Sequence, residues 1–216
     1  MADWIDLTQD VHPEMERMEF LPCPEIVHLS EQSETSLQIT ELSLAVHVGT
    51  HMDAPVHAID GGRSIDEFPP SKWHTDATVV DVDVGPESEI GLEAVRSAGD
   101  RLEPGDALVV RTGWQDHLGT DTYAEHPYFG RDLAEWIVDR DLAFVGMDFL
   151  TPDMPPDLRP AGFTYPIHTT LLDAEVLIVE NLANVSALPE TFTLVAAPLP
   201  IRGADASPVR AFARPR

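Results

Sequence analysis

The sequence predicts an α/β fold, and three observations lead there. Short apolar and β-branched runs alternate along the chain with segments of helical period. Hydrophobic residues make up 43% of 216 residues, enough for one sizeable core, so a single domain over residues 1–216 is expected. Proline- and glycine-rich segments at 60–70, 85–87, 103–106 and 151–162 punctuate the elements, and none reads as a long linker.

The elements follow in order. Leu37, Ile39, Leu42, Leu44 and Val46 predict a strand over 37–48, although its alternation slips around Thr40 and Glu41. Val79, Val80, Val82 and Val84 predict a strand over 77–84. A helix over 89–99 would carry Ile90, Leu92, Ala94 and Val95 and stop at Gly99. A strand is expected over 106–111. Leu133, Trp136, Ile137 and Arg140 have helical spacing within 131–140, where Trp136 is assigned to the core. Strands at 143–148, 176–180 and 192–197 and a helix at 166–173 complete the pattern. The proline-dense stretch 152–156 is expected to be an ordered loop near the site.

Charge narrows the function classes. The net charge is -25, from 38 acidic and 13 basic residues, and Lys72 is the only lysine. A chain without a basic footprint is not expected to bind nucleic acid. The acidic residues are spread along the chain, which argues against a disordered acidic tail. Such a surface suits a halophilic protein, because molar salt screens self-repulsion within a Debye length of about 3 Å. No stretch approaches the roughly 18 apolar residues of a membrane span, and no secretory leader is recognisable. A cytoplasmic location is expected. Cys23 is the only cysteine, so no internal disulfide can form, and it reads as an inert loop thiol.

The chemistry concentrates in residues 47–57. His47, His51, Asp53 and His57 occupy odd positions, so an extended chain would project all four from one side. Gly49 and Pro55 share that side, add little bulk and disfavour a helix. Packing alone would have to bury three imidazoles and a carboxylate together, which costs several kcal/mol per unpartnered group. A divalent metal is the simplest compensating partner, because imidazole and carboxylate suit zinc and also admit manganese. A second set is His168, near a helix start, and Glu180, at the end of the apolar run 176–179. Glu180 reads equally as a ligand or as the polar residue closing a buried strand. His12, His28, His74, His117 and His126 lack motif support and are expected to be surface or loop residues.

Together these blocks resemble the cyclase-like metal-dependent hydrolases, which include bacterial kynurenine formamidase and isatin hydrolase. The signature His-x-Gly-Thr-His-x-Asp-x-Pro-x-His is matched without departure by residues 47–57. The resemblance continues in Arg111-Thr112-Gly113-Trp114 and in 146–153, where the family usually has serine at the Thr151 position. The spacing of His168, Leu171-Leu172 and Glu180 also matches, and Asp6-Leu7-Thr8 resembles the family's opening strand. The resemblance implies a swivelling β/β/α fold, a homodimer or homotetramer, and one or two divalent metals per chain. It implies that His47, His51 and Asp53 hold one metal. Asp53 and Glu180 would bridge to a second, held also by His168, and His57 would move protons.

The implied activity is cleavage of an amide-type C–N bond in a small molecule, a formamide such as N-formylkynurenine or a cyclic amide. His57 lies beyond the His-x3-His-x-Asp set, and its unperturbed pKa near 6.5 suits proton delivery to a leaving amine. Kynurenine formamidases resemble one another in an N-terminal tryptophan that contacts the aromatic substrate. Residues 10–20 here contain none; Phe20 is the candidate replacement, and Trp4 lies too early. A lactonase or dehydratase with the same metal site, or a non-catalytic metal-binding protein of the same fold, are the alternatives. Retention of His57 favours an enzyme, since closed structural zinc sites need no proton-transfer group.

Overall fold

The most apolar runs of the chain form the middle of its largest sheet. The computed structural model describes residues 4–216. In chain order its strands are β1 (Ile5–Asp6), β2 (Glu25–Ser30), β3 (Ile39–Ser43), β4 (His51–Asp53), β5 (His74–Asp81) and β6 (Glu89–Ile90). They continue with β7 (Ala107–Arg111), β8 (Tyr128–Phe129), β9 (Phe144–Met147), β10 (Leu177–Glu180), β11 (Thr191–Pro198) and β12 (Ala206–Pro215). The helices are α1 (Gln32–Thr35), α2 (Leu92–Val95), α3 (Arg131–Asp139) and α4 (Pro166–Asp173).

Eight strands pair in the order β1-β12-β11-β5-β7-β9-β10-β4, and β4 also pairs with β12. That last pairing closes the sheet into a barrel-like ring, with β1 attached to β12 outside it. β5, β7, β9 and β10 run parallel. Residues 77–80 of β5 and nearly all of β7, β9 and β10 are buried on both faces, which is why β7, β9 and β10 read as continuous apolar runs. Val79, Val109, Phe144, Leu177 and Val179 point into the ring with Phe192, Leu194, Ala211 and Ala213. Val80, Val110, Val145, Met147 and Ile178 face outward, under Leu133, Ile137, Leu171 and Leu172 of α3 and α4. The result is α/β, as expected. Among the described residues no helix is long and apolar enough to cross a membrane.

Two expectations need correction, and the longest strand lies outside them all. The run 37–48 is not one strand: β3 ends at Ser43, and the backbone from 44 to 50 is irregular. β3 pairs only with β2, in a separate two-stranded sheet, which accounts for the slipped alternation. The helix over 89–99 divides into β6, the one-turn α2 and a 3-10 segment over Arg96–Arg101. β12 is the longest strand and was not anticipated. Its inward residues are Ser207, Val209 and the small Ala211 and Ala213, which give only a weak apolar alternation.

Candidate metal centre

Strand register places the first three donors. On β4, Met52 points into the ring, so His51 and Asp53 project to the opposite, helix-covered face. β10 runs antiparallel beside it, with Glu180 directly opposite His51 and Ile178 opposite Asp53. Glu180 thus lies at the carboxyl end of β10, on the same face. His168 comes from the first turn of α4, which covers that face.

His47 and His57 do not reach the site along one extended strand. Gly49 turns the chain at φ +57°, a left-handed conformation that favours glycine, and a Cβ there would lie 2.6 Å from the flexible end of Met15 and have to displace it. Residues Pro55–His57 form a 3-10 turn, with proline at its start. Two turns therefore fold His47 and His57 back over β4, and alternation accounts only for His51 and Asp53. Thr50 fixes this corner: its hydroxyl donates to the Asn181 carbonyl at 2.7 Å and accepts from Gln9 N–H at 2.9 Å.

The donor atoms converge. His47 Nδ1 and His51 Nε2 lie 2.9 and 3.4 Å from Asp53 Oδ1. His168 Nε2 lies 3.5 Å from both Asp53 Oδ2 and Glu180 Oε1, and Glu180 Oε2 lies 3.2 Å from His51 Nε2. Donors bound at about 2.0–2.2 Å to a tetrahedral ion lie ~3.3–3.6 Å from one another, so most of these spacings fit shared coordination. The two oxygens of Asp53 face different imidazoles, as do those of Glu180. His51 Nε2, both Asp53 oxygens and Glu180 Oε1 are shielded from water without a well-formed hydrogen bond. Orphaned acceptors around one point fit a bound cation, and no other partner among the described residues satisfies them.

Supporting groups fix the ring orientations. His51 Nδ1–H donates to the Gly49 carbonyl at 2.8 Å, and His168 Nδ1–H donates to Asp153 Oδ2 at 2.7 Å. Each leaves Nε2 free to act as a donor to metal. Asp153 also accepts from the backbone N–H groups of Ile167 and His168. Asp205 Oδ2 lies 2.9 Å from His47 Nε2 and 3.2 Å from His57 Nδ1. Asp153 lay within a matched block without a role, and Asp205 had no local signal among 38 acidic residues. Asp153→Asn should weaken metal binding about 10–100-fold, measured by competition with a chelator. Unchanged affinity would mean that Asp153 serves only the start of α4.

Without a cation, protons carry the balancing charge. Burial pushes His47 down, but Asp53 and Asp205 outweigh it and lift it to about 9. Burial likewise opposes protonation of His168, yet Asp153, Asp53 and Glu180 hold its pKa well above the usual value. Burial would raise Asp53, but His168 and His47 keep it well below the carboxylate range. A metal entering this site must displace those protons.

The donors open into a cavity of about 440 Å³. Met18, Phe20, Leu21 and Leu150 give it an apolar side, and His57, Thr151 and Arg159 line it too. Phe20 therefore stands where an aromatic contact was sought, whereas Trp4 packs edge-on against Phe212. The loop 152–156 does border the site, through Asp153. His12, His28, His74 and His117 are exposed, but His126 is fully buried. Its Nδ1–H donates to the Pro127 carbonyl, its ring stacks on Phe149, and burial pushes its pKa down to about 4.

Comparison with known proteins gives a consistent picture. Residues 5–154 match the family described as "Putative cyclase". Kynurenine formamidase of Bordetella petrii is 31% identical over 180 residues, covering 82% of this chain and 81% of that protein. Kynurenine formamidase of Bacillus cereus is 27% identical over 222 residues, covering 99% and 98%. The solved structure of isatin hydrolase A from Ralstonia solanacearum superposes with a TM-score of 0.87 at 23% identity, covering 98% of this chain and 91% of that one. This last likeness is one of fold.

Proposed function

Because the chain belongs to the cyclase family, we propose that it is a metal-dependent hydrolase that cleaves an amide-type C–N bond. The observation carrying this reading is the set of orphaned buried donors on His51, Asp53 and Glu180, converging beside His57 in an organic-sized cavity. His47, His51 and Asp53 would hold one divalent ion, zinc or manganese. His168 would hold a second, with Asp53 and Glu180 shared. The metal, when bound, supplies Lewis acidity that lowers the pKa of water and polarises the amide carbonyl.

The protein's own groups do the rest. His57 Nδ1–H donates to Asp205, which leaves Nε2 to take a proton and return it to the departing nitrogen. That delivery matters because an unprotonated amine leaves poorly. Asp205 fixes the His57 tautomer. Met18, Leu21 and Leu150 seat the organic body of the substrate and keep water from it.

The substrate is a small formamide such as N-formylkynurenine, or a cyclic amide. To test this, hydrolysis of N-formylkynurenine and isatin is followed before and after chelation, with zinc or manganese added back. Turnover lost on chelation and restored by metal supports the reading. Turnover indifferent to chelation contradicts it, and metal-dependent action on lactones alone would replace amide by ester.

The working unit is a homodimer or homotetramer. The β2–β3 hairpin supports this, since Ile26, Val27, Leu29, Leu37, Ile39 and Leu42 are all exposed on it. The acidic surface supports a halophilic setting. In a salt series, light scattering should give at least twice the 23.8 kDa chain mass, with an unfolding midpoint that rises with salt. A monomer, or a midpoint that rises as salt is removed, would count against the corresponding part.

A further inference from the structure

The cavity wall carries one permanently cationic side chain. Arg159 is the only arginine or lysine lining it. Its Nε–H donates to the Met154 carbonyl at 2.8 Å, and Nη1 donates to Tyr165 Oη at 3.3 Å. The guanidinium carbon lies 5.0 Å from the centre of the Tyr165 ring and 5.4 Å from that of Phe163. One edge of the fork is thus tied down and its plane is flanked by aromatic rings. Nη2 is shielded from water and has no partner.

Among the described residues no carboxylate lies within ion-pair distance of Arg159, in a chain with 38 acidic residues against 13 basic ones. An unpartnered guanidinium N–H is costly to leave, and its planar fork matches a carboxylate. The overall charge of -25 would also repel an anionic ligand unless the cavity itself supplied a cation.

We propose that Arg159 is a specificity-determining residue that pairs with a carboxylate on the substrate, so that the preferred amides carry an anionic group beside an apolar body. This rests on the cavity being the site of amide hydrolysis. Tyr165 and Phe163 position the guanidinium. Met18, Phe20, Leu21 and Leu150 receive the apolar part.

The test uses the metal-loaded full chain and inhibitors whose hydroxamate anchors on the metal: benzohydroxamate and its 3- and 4-carboxy derivatives. The wild type should bind at least one carboxy derivative about tenfold or more tighter than benzohydroxamate, by calorimetry. Arg159→Met should erase that preference, lowering affinity for the carboxy derivative about tenfold or more beyond any change in benzohydroxamate affinity, and retained benzohydroxamate binding reports an intact site. Arg159→Lys should keep part of it. No preference in the wild type, or a preference that survives in Arg159→Met, overturns the proposal. Formanilide turnover separates the two readings. If it is hydrolysed equally by both proteins and no anion preference exists, amide hydrolysis stands and the Arg159 role fails. If the anion preference is present but no amide is cleaved, the Arg159 subsite stands and amide hydrolysis fails.

Discussion

Asp53→Asn is expected to abolish turnover, by about 10³-fold or more, together with metal binding. Asp53 is fully buried, and its two oxygens face different imidazoles, Oδ1 toward His47 and His51, Oδ2 toward His168. An amide offers one acceptor oxygen and no charge, so it cannot serve both sides. The fold should survive, because β4 keeps its pairing with β10 and β12. A stabilising ligand raises the unfolding free energy by about 2.7 kcal/mol at a hundred times its Kd. Metal should therefore raise the melting temperature of the wild type and not of the variant. Mass spectrometry for metal content and a thermal scan check both halves. A variant that retains full metal and turnover would remove Asp53 from the centre.

His57→Ala is expected to separate proton transfer from metal binding. Its side chain is the most solvent-exposed of the site imidazoles and its Nδ1 is engaged by Asp205, although a ring nitrogen also comes within 4.8 Å of donor atoms on Asp53 and His168. Metal content should stay at the wild-type level while kcat falls about 10²–10⁴-fold, the range for a lost general acid–base group. The loss should be smaller for substrates whose leaving nitrogen is already a good leaving group. If metal content collapses as well, His57 is a ligand and another group delivers the proton.

The elements that could be read in advance share one physical property. β7, β9 and β10 are buried on both faces, and α3 and α4 carry an apolar stripe on an otherwise polar helix, so local periodicity marks each of them. The motif stood out for a similar reason: donors crowded within eleven positions need no tertiary knowledge to be noticed. The way they converge did need it. An extended reading of 47–57 put four side chains on one face, whereas the turn at Gly49 and the 3-10 turn at Pro55 bring in His47 and His57.

What stayed hidden depends on contacts far apart in sequence. Asp205 lies 158 positions from His47, and nothing local distinguishes it from the other acidic residues. β12 owes its place to closing the ring against β4, and its inward alanines carry little hydrophobic signal. His126 looked like a loop residue, and it is one; its burial against Phe149 comes from the packing of that loop over the outer core.

The most direct measurement is a metal titration into chelated protein, following bound metal and hydrolysis of N-formylkynurenine or another responsive amide together. Turnover should rise from near zero in step with uptake of one or two equivalents of zinc or manganese per chain, and then level off. Chelated protein that keeps its full turnover, or that takes up no stoichiometric metal, would contradict the assignment of this site as a hydrolytic metal centre.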